Sequence, residues 1–204
     1  VSGHDLYVLS DEIYAELCYL EEHTSIASLP GMKERTVIIN GVSKAYAMTG
    51  WRIGFIAAPE WIVKGCNKLQ GQYTSGPCSV SQKAAETAYT TSQECVETMR
   101  KAFERRRDLI VELAKDIPGL EVNKPEGAFY LFPKCSSFFG KSYNGKKIEN
   151  STDLALFLLE VGHVATVGGD AFGDPYCFRM SYATSDENIV EAIRRIKEAL
   201  SKLK

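Results

Sequence analysis

The chain has 204 residues, with 24 Lys plus Arg against 26 Asp plus Glu, and therefore a formal net charge of −2. At about 150 residues per domain this length allows one to two domains, which can bury a core without a disulfide or a metal ion. A near-neutral balance with no basic block argues against nucleic acid or an anionic membrane as the main partner. A small-molecule site is the default interpretation.

The sequence contains neither a membrane-spanning run nor a secretory signal. No stretch approaches the ~20 consecutive apolar residues that a spanning helix needs, and no basic segment leads into an apolar run at the start. We therefore expect a cytoplasmic protein. The six cysteines show no C-x-x-C spacing and no clustered histidines, so we expect reduced structural thiols and no metal site. The chain begins at Val1, directly before a strand pattern, which suggests an upstream segment.

Short apolar runs alternate with longer helical patterns, which is typical of an α/β fold. Continuously apolar runs predict strands of one sheet, buried on both faces, at residues 6–9, 37–39 and 53–56. Helical spacing then predicts a long helix over residues 79–115, broken near 91–92. A helix of this length could bridge two domains.

The second half of the chain predicts an α+β unit. Strand-like runs occur at residues 120–122, 128–132, 164–167 and 177–182, and helical patterns at 153–160 and 186–203. Residues 136–150 are rich in Ser, Gly, Lys and Asn, which predicts an exposed loop.

A carboxylate follows the first apolar run. Asp11, within residues 10–14, would lie at the carboxyl end of a buried strand, where open α/β sheets bind ligands. Its desolvation is costly unless it meets a cation, so a cationic ligand group would explain its place. The alternative is a helix N-cap, a position that favours Ser and Asp.

The segment of residues 41–54 places Lys44 at the same edge of the sheet. The amine of a partly desolvated lysine can form a Schiff base with an aldehyde. Ser43 and Arg52 add a hydroxyl and a planar guanidinium, a pair suited to a phosphate. The alternative is a solvated loop lysine. The glycines at 41, 50 and 54 count against it, because they indicate close backbone approach.

Arg179 alternates with Phe178 and Met180 in the last strand-like run, so its side chain should point to the face opposite the apolar residues. A guanidinium there could bind a carboxylate in a bidentate manner. An ordinary exposed strand arginine is the alternative.

Four motifs occur in the order and spacing of one known family: residues 10–14, Ser43-Lys44 with Arg52 eight residues later, residues 125–130, and residues 178–181. The chain thereby resembles the class I aminotransferases, pyridoxal-phosphate enzymes of the aspartate aminotransferase fold. The resemblance implies that Lys44 bonds to the cofactor aldehyde and shuttles the substrate proton. It also implies that Asp11 pairs with the pyridine nitrogen, and that Tyr14 hydrogen-bonds the ring hydroxyl oxygen.

The same resemblance implies that Ser43 and Arg52 bind the cofactor phosphate and that Arg179 binds the substrate α-carboxylate. For the fold it implies that residues 1–93 are the C-terminal part of a large cofactor-binding domain, a mostly parallel sheet with helices. Residues 94–204 would be an α+β small domain.

The sequence also differs from the family pattern in several places. Residues 1–204 contain none of the phosphate-binding turn, stacking aromatic and Asn-Pro sequence that the family's first half supplies. We therefore interpret the chain as the C-terminal half of an aminotransferase, and expect it to be inactive in isolation. No arginine lies between residues 52 and 100 to grip a side-chain carboxylate, which puts aspartate specificity in question. Gly168-Gly169 replaces a frequent Pro-Gly and should loosen its loop.

The leading hypothesis is transfer of an amino group from an α-amino acid, with aspartate as a candidate, to a 2-oxo acid through pyridoxal phosphate. Family members are homodimers, and residues 74–77 resemble a loop near their interface. One alternative is a carbon–sulfur lyase of the same fold, which would release pyruvate without an oxo-acid acceptor. Another is a non-catalytic sensor domain of a transcriptional regulator, which a DNA-binding segment upstream would reveal.

Overall fold

A computed structural model describes residues 3–20 and 22–204. The contacts within the chain divide it into two compact units, Val1–Lys101 and Ala102–Lys204. Each unit contains a sheet and helices, so the predicted α/β class is confirmed.

The first unit contains a three-stranded sheet of β1 (Val8–Asp11), β2 (Thr36–Gly41) and β3 (Gly54–Ala57), in that order. β1 and β2 run parallel, and β3 runs antiparallel to β2. The three strands lie where the apolar runs predicted them, shifted by one or two residues.

Burial of these strands on both faces was predicted, and this expectation is wrong. Leu9 of β1 is 71% exposed and Phe55 of β3 is 45% exposed. A strand is covered on both faces only when helices pack on both sides of its sheet, and the described elements of this unit leave these side chains open.

The helices of the first unit follow the sheet in sequence. They are α1 (Glu60–Tyr73), which the sequence analysis missed, α2 (Ser79–Thr90) and α3 (Glu94–Lys115), which continues into the second unit. The predicted break near residues 91–92 is confirmed, because α2 and α3 are separate helices.

The second unit contains a small antiparallel sheet in the order β4 (Tyr130–Leu131), β8 (Phe178–Ser181) and β7 (Val167–Gly168). The helices α4 (Ser151–Gly162) and α5 (Asp186–Leu200) contact each other, and apolar side chains of both belong to the core of this unit. Ser185 caps α5, since its side chain accepts a hydrogen bond from the N–H of Asn188.

The predicted exposed loop over residues 136–150 is in part wrong. It contains a hairpin of β5 (Ser142–Tyr143) and β6 (Lys146–Lys147). Phe138 and Ile148 in this segment are 2% and 3% exposed and belong to the core. Two apolar residues among many polar ones are a weak sequence signal, but they suffice to anchor a loop. Residues 120–122 form no strand and only an isolated bridge from Glu121 to Lys134.

All six cysteines are free thiols. Burial raises the pKa of Cys135 to about 12 and that of Cys177 to about 11, which keeps both thiols protonated.

Over residues 3–20 and 22–204, no helix is both long and apolar enough to cross a bilayer. The same part of the chain contains no group of three or more His, Cys, Asp or Glu side chains suited to a metal ion.

Candidate active site

The strand directions of the first unit bring three charged side chains to one edge of its sheet. β1 and β2 run parallel, so their carboxyl ends lie at the same edge, where antiparallel β3 begins. Asp11 is the last residue of β1, Lys44 follows β2, and Arg52 precedes β3. The topology thus places a carboxylate, an amine and a guanidinium at the edge where α/β sheets bind ligands.

Glycine at position 41 lets β2 and β3 approach closely at this edge. A Cβ on Gly41 would lie 2.7 Å from the Ile53 carbonyl oxygen and 2.9 Å from the Gly54 Cα. A Cβ on Gly54 would lie 3.2 Å from the Asn40 carbonyl oxygen. The predicted close approach is therefore confirmed for these two glycines. It is wrong for Gly50, where an added Cβ would meet no atom beyond its chain neighbours within 4 Å.

Lys44 and Tyr14 meet at the sheet edge. The Lys44 Nζ lies 5.7 Å from the centroid of the Tyr14 ring, within the range of a cation–π contact. Both side chains are half-buried. Tyr14 occupies the position before a short 3-10 turn, Ala15–Leu17, so this turn holds the phenol near the amine.

Asp11 is exposed in this chain. Its Oδ1 accepts a hydrogen bond of 3.1 Å from the N–H of Ile13, which is an Asx turn and not a helix cap. The N-cap alternative is wrong, because the following 3-10 turn, Ala15–Leu17, has Tyr14 at its N-cap position and no side-chain cap. No cation in the described part of the chain forms an ion pair with it. The predicted cost of desolvating Asp11 does not arise here, because water reaches the side chain.

Sequence reasoning missed Glu12, which is 7% exposed. Its Oε1 accepts hydrogen bonds from the hydroxyls of Ser25 at 2.7 Å and Ser10 at 3.1 Å. Its Oε2 lies 3.4 Å from the Nε2 of His23. Its backbone N–H also donates to the Ile39 carbonyl at 2.8 Å. Glu12 thereby anchors the turn between Asp11 and Tyr14. Its sequence signal was weak, since glutamates are seldom buried.

A short chain of hydrogen bonds closes the loop that carries Lys44. The Thr49 hydroxyl donates to the Ser43 carbonyl at 3.0 Å, and the Arg52 Nη1 donates to the Thr49 carbonyl at 2.8 Å. Arg52 itself has left-handed backbone angles, φ 54° and ψ 49°, which are uncommon for a residue other than glycine. Such angles persist where the surroundings enforce them, often at functional sites. Thr49 is a second residue that the sequence analysis missed.

Aromatic contacts anchor the same loop to the helices of this unit. The Tyr46 hydroxyl donates a 2.6 Å hydrogen bond to Gln93, between α2 and α3. The Tyr46 ring meets the Tyr89 ring edge to face at 5.1 Å. Burial, with a smaller effect of Glu16, raises the pKa of Tyr46 and keeps its hydroxyl protonated as a donor.

Arg179 of the second unit lies in β8 and is half-buried, whereas its neighbours Phe178 and Met180 are 0% and 5% exposed. The predicted alternation is confirmed. The guanidinium carbon lies 4.4 Å from the Tyr130 ring centroid and 4.0 Å from that of Phe172. Within residues 3–20 and 22–204, Arg179 has no carboxylate or carbonyl partner. The other arginines all have one.

Comparisons with known proteins identify the family. The family model described as aminotransferase class I and II matches residues 1–196. The chain belongs to the class I and II aminotransferases. It is 49% identical, over 98% of its length, to the bifunctional aspartate aminotransferase and glutamate/aspartate-prephenate aminotransferase of Petunia hybrida, of which it covers 43%. It is 46% identical to the aspartate aminotransferase of Pinus pinaster, with 96% of this chain and 41% of that protein covered.

Solved aminotransferases have the same fold. The crystal structure of the aspartate aminotransferase from Rhizobium meliloti matches with a TM-score of 0.92 and 43% identity, covering 97% of this chain and 50% of that one. The aromatic aminotransferase from Pyrococcus horikoshii OT3 matches with a TM-score of 0.86 and 40% identity, covering 97% and 52%. The chain thus spans about half the length of the aminotransferases it matches.

Proposed function

We propose that the protein containing this chain transfers an amino group between an α-amino acid and a 2-oxo acid, using pyridoxal phosphate. The observation that carries the proposal is the meeting of Lys44 and Tyr14 at the sheet edge where Asp11 ends β1. Aspartate and glutamate are the first candidate amino donors, and prephenate is a candidate oxo acid, since the names of the similar Petunia protein include them.

The residues at this edge fit the groups of the cofactor. The Lys44 amine suits the aldehyde. Asp11, an acid without an ion-pair partner in the described chain, suits a protonated ring nitrogen. The Tyr14 hydroxyl suits the ring oxygen. The Ser43 hydroxyl and the Arg52 guanidinium, held in one loop through Thr49, suit the phosphate.

Each side chain then has one task. When bound, the cofactor supplies an electron sink for the substrate carbon. Lys44 moves the proton from and to that carbon at its Nζ. Asp11 holds the proton on the ring nitrogen by charge pairing, and Tyr14 orients the ring oxygen beside the amine. Arg179 binds the α-carboxylate through two parallel N–H groups, which a lysine could not provide.

We also propose the domain division and the assembly that the resemblance implies. Residues 1–93 would be the C-terminal part of the large cofactor-binding domain, and residues 94–204 the small domain. The contact boundary after Lys101, within α3, supports a division in this region. A homodimeric, cytoplasmic enzyme stays a prediction.

Mapping of the lysine that holds the cofactor tests the proposal. The complete protein is mixed with pyridoxal phosphate, reduced with borohydride and digested, and the modified lysine is identified by mass spectrometry. We expect modification at Lys44 and its loss in Lys44→Ala. Lys64→Ala is the matched control, because Lys64 is an exposed lysine of α1 that pairs with Glu60. Equal modification of Lys44 and Lys64 would contradict the proposal.

The 204-residue chain is a second sample for the same experiment. Selective modification of Lys44 there would mean that this chain retains part of the cofactor site. Scattered modification would mean that the site needs the remainder of the protein. Turnover assays with aspartate and a 2-oxo acid, together with a test for pyruvate release in the absence of an acceptor, then separate a transaminase from a carbon–sulfur lyase.

A further inference from the structure

The surroundings of Arg179 contain a feature that the sequence analysis did not assign. Tyr130 pairs with Ser181 in the β4–β8 register, two residues beyond Arg179 on the same face of the strand. Diagonal neighbours of this kind lie within reach of long and aromatic side chains. The Tyr130 ring accordingly lies 4.4 Å from the Arg179 guanidinium.

The second ring at Arg179 belongs to Phe172, whose turn packs unusually close to the neighbouring backbone. Phe172 ends the 3-10 turn Gly169–Phe172, directly after β7. A Cβ on Gly169 would overlap the carbonyl oxygens of Asp174 and Cys177. The Gly169 N–H donates to the Cys177 carbonyl at 2.9 Å and contacts the Ser151 hydroxyl at 3.0 Å. The missing side chain lets this turn approach the segment that leads into β8, and the Phe172 ring lies 4.0 Å from the guanidinium.

This packing corrects the expectation that Gly168-Gly169 loosens its loop. Both glycines are buried. A Cβ on Gly168 would lie 2.6 Å from the Thr152 hydroxyl oxygen. The pair therefore tightens the loop against β8 and α4.

Aromatic rings differ from carboxylates in how they hold an arginine. A ring attracts the guanidinium through its face and leaves the N–H donors free, whereas a carboxylate would occupy those donors. Arg179 contacts two rings, and no acceptor in the described part of the chain takes its donors. Its donors are thus available to an external carboxylate, while the two rings pack against its guanidinium.

We propose that Tyr130 and Phe172 are positioning residues for substrate binding, which hold the Arg179 guanidinium in the orientation that receives the α-carboxylate. This inference rests on the proposed function, because it takes Arg179 as the carboxylate-binding residue. Prior ordering of the side chain lowers the entropy lost on binding. The two rings therefore strengthen substrate binding without touching the reacting atoms.

The test compares four variants of the complete, cofactor-loaded protein: Phe172→Leu, Tyr130→Leu, Phe172→Tyr and Tyr176→Leu. Phe172 is 43% exposed, so its truncation should leave the fold intact. Tyr176 is the matched control, because it is an aromatic residue of the same loop and is 55% exposed. Its described ring contact is with Phe139 and not with Arg179. The readouts are KM and kcat for aspartate and the Kd of succinate, an unreactive dicarboxylate.

We expect Phe172→Leu and Tyr130→Leu each to raise KM and the succinate Kd by roughly 3- to 30-fold, the range of a cation–π contact. kcat should change much less, because the carboxylate is held equally in the ground state and the transition state. Phe172→Tyr keeps a ring at this position and should leave KM and the succinate Kd near their wild-type values. Tyr176→Leu should change neither constant.

The variant Arg179→Ala distinguishes a wrong positioning role of the two rings from a wrong assignment of Arg179 as the carboxylate-binding residue. If it weakens binding while neither ring variant does, the positioning role is wrong and the proposed function stands. If Arg179→Ala also leaves KM and Kd unchanged, the carboxylate-binding assignment is wrong, and the positioning role fails with it. A readout independent of activity is the NMR spectrum of the arginine side chains in the 204-residue chain. Ring currents should shift the Arg179 Hδ signals upfield, and Phe172→Leu should reverse much of the shift; unshifted signals would overturn the proposal.

Discussion

The Lys44 amine lies 5.7 Å from the centre of the Tyr14 ring, although the two residues belong to loops that follow different strands. Parallel pairing of β1 and β2 brings these loops to the same edge. The contact joins the residue proposed to bond to the cofactor with the residue proposed to orient its ring. Both assignments can be tested independently.

Replacement of Lys44 by alanine should abolish transamination in the complete protein, because no other group is proposed to move the substrate proton. Non-covalent cofactor binding should persist through Asp11, Ser43 and Arg52. Steady-state assays and cofactor titration check both expectations. Lys64→Ala should retain full activity. Near-normal turnover by Lys44→Ala would show that Lys44 is not the residue that moves the substrate proton.

Loss of the buried Glu12 carboxylate should destabilise the turn between Asp11 and Tyr14. In Glu12→Ala the hydroxyls of Ser10 and Ser25 lose their shared acceptor, which should cost about 1–3 kcal/mol in the free energy of unfolding. Urea denaturation followed by circular dichroism measures this cost. The neighbouring exposed Glu16→Ala should change stability far less. Equal effects of the two substitutions would show that Glu12 is not an anchor.

A methyl group at Gly41 should force β2 and β3 apart. The added Cβ would lie 2.7 Å from the Ile53 carbonyl oxygen, so Gly41→Ala should destabilise the protein by about 1–3 kcal/mol. Gly65→Ala provides the contrast, since a Cβ added there would meet no atom within 4 Å apart from its chain neighbours and the backbone of α1. It should stabilise the helix by about 0.5–1 kcal/mol. Thermal unfolding of both variants distinguishes close strand packing from a general effect of glycine replacement.

Because of the ion pairs on α5, the stability of the protein should fall as the pH is lowered into the acid range. Hydrogen bonds from Arg194 and Arg195 lower the pKa of Glu191 from 4.5 to about 2. A carboxyl group whose pKa is lowered by folding contributes stability above its unfolded pKa of about 4.5 and loses it as the pH falls towards about 2. Glu191→Gln should therefore flatten the fall in stability over this range.

The comparison for Glu191 is Glu112→Gln, an exposed glutamate of α3 without an ion pair in the described chain. Denaturant midpoints measured from pH 6 to pH 2 should have the same slope in this variant as in the wild type. Because the Glu191 pairs are exposed, the effect should weaken in high salt. An unchanged slope in Glu191→Gln would contradict the expectation.

Much of the candidate site could be predicted from the sequence because its signals are local. Asp11 follows an apolar run, and Lys44 and Arg52 lie in a glycine-containing segment between two more such runs. Strand propensity and turn composition act over a few residues, so these side chains could be assigned to strand ends. The helices α4 and α5 of the second unit and the break between α2 and α3 were predicted for the same reason.

Other features were decided only by tertiary structure, because they depend on which distant residues meet. Burial of Glu12 requires Ser25 and His23 from a separate segment. The exposure of Leu9 depends on what packs on its sheet, which an apolar run does not reveal. The rings around Arg179 come from β4 and from the turn after β7. Strand register and backbone approach bring these groups together, and neither can be read from the spacing of residues along the chain.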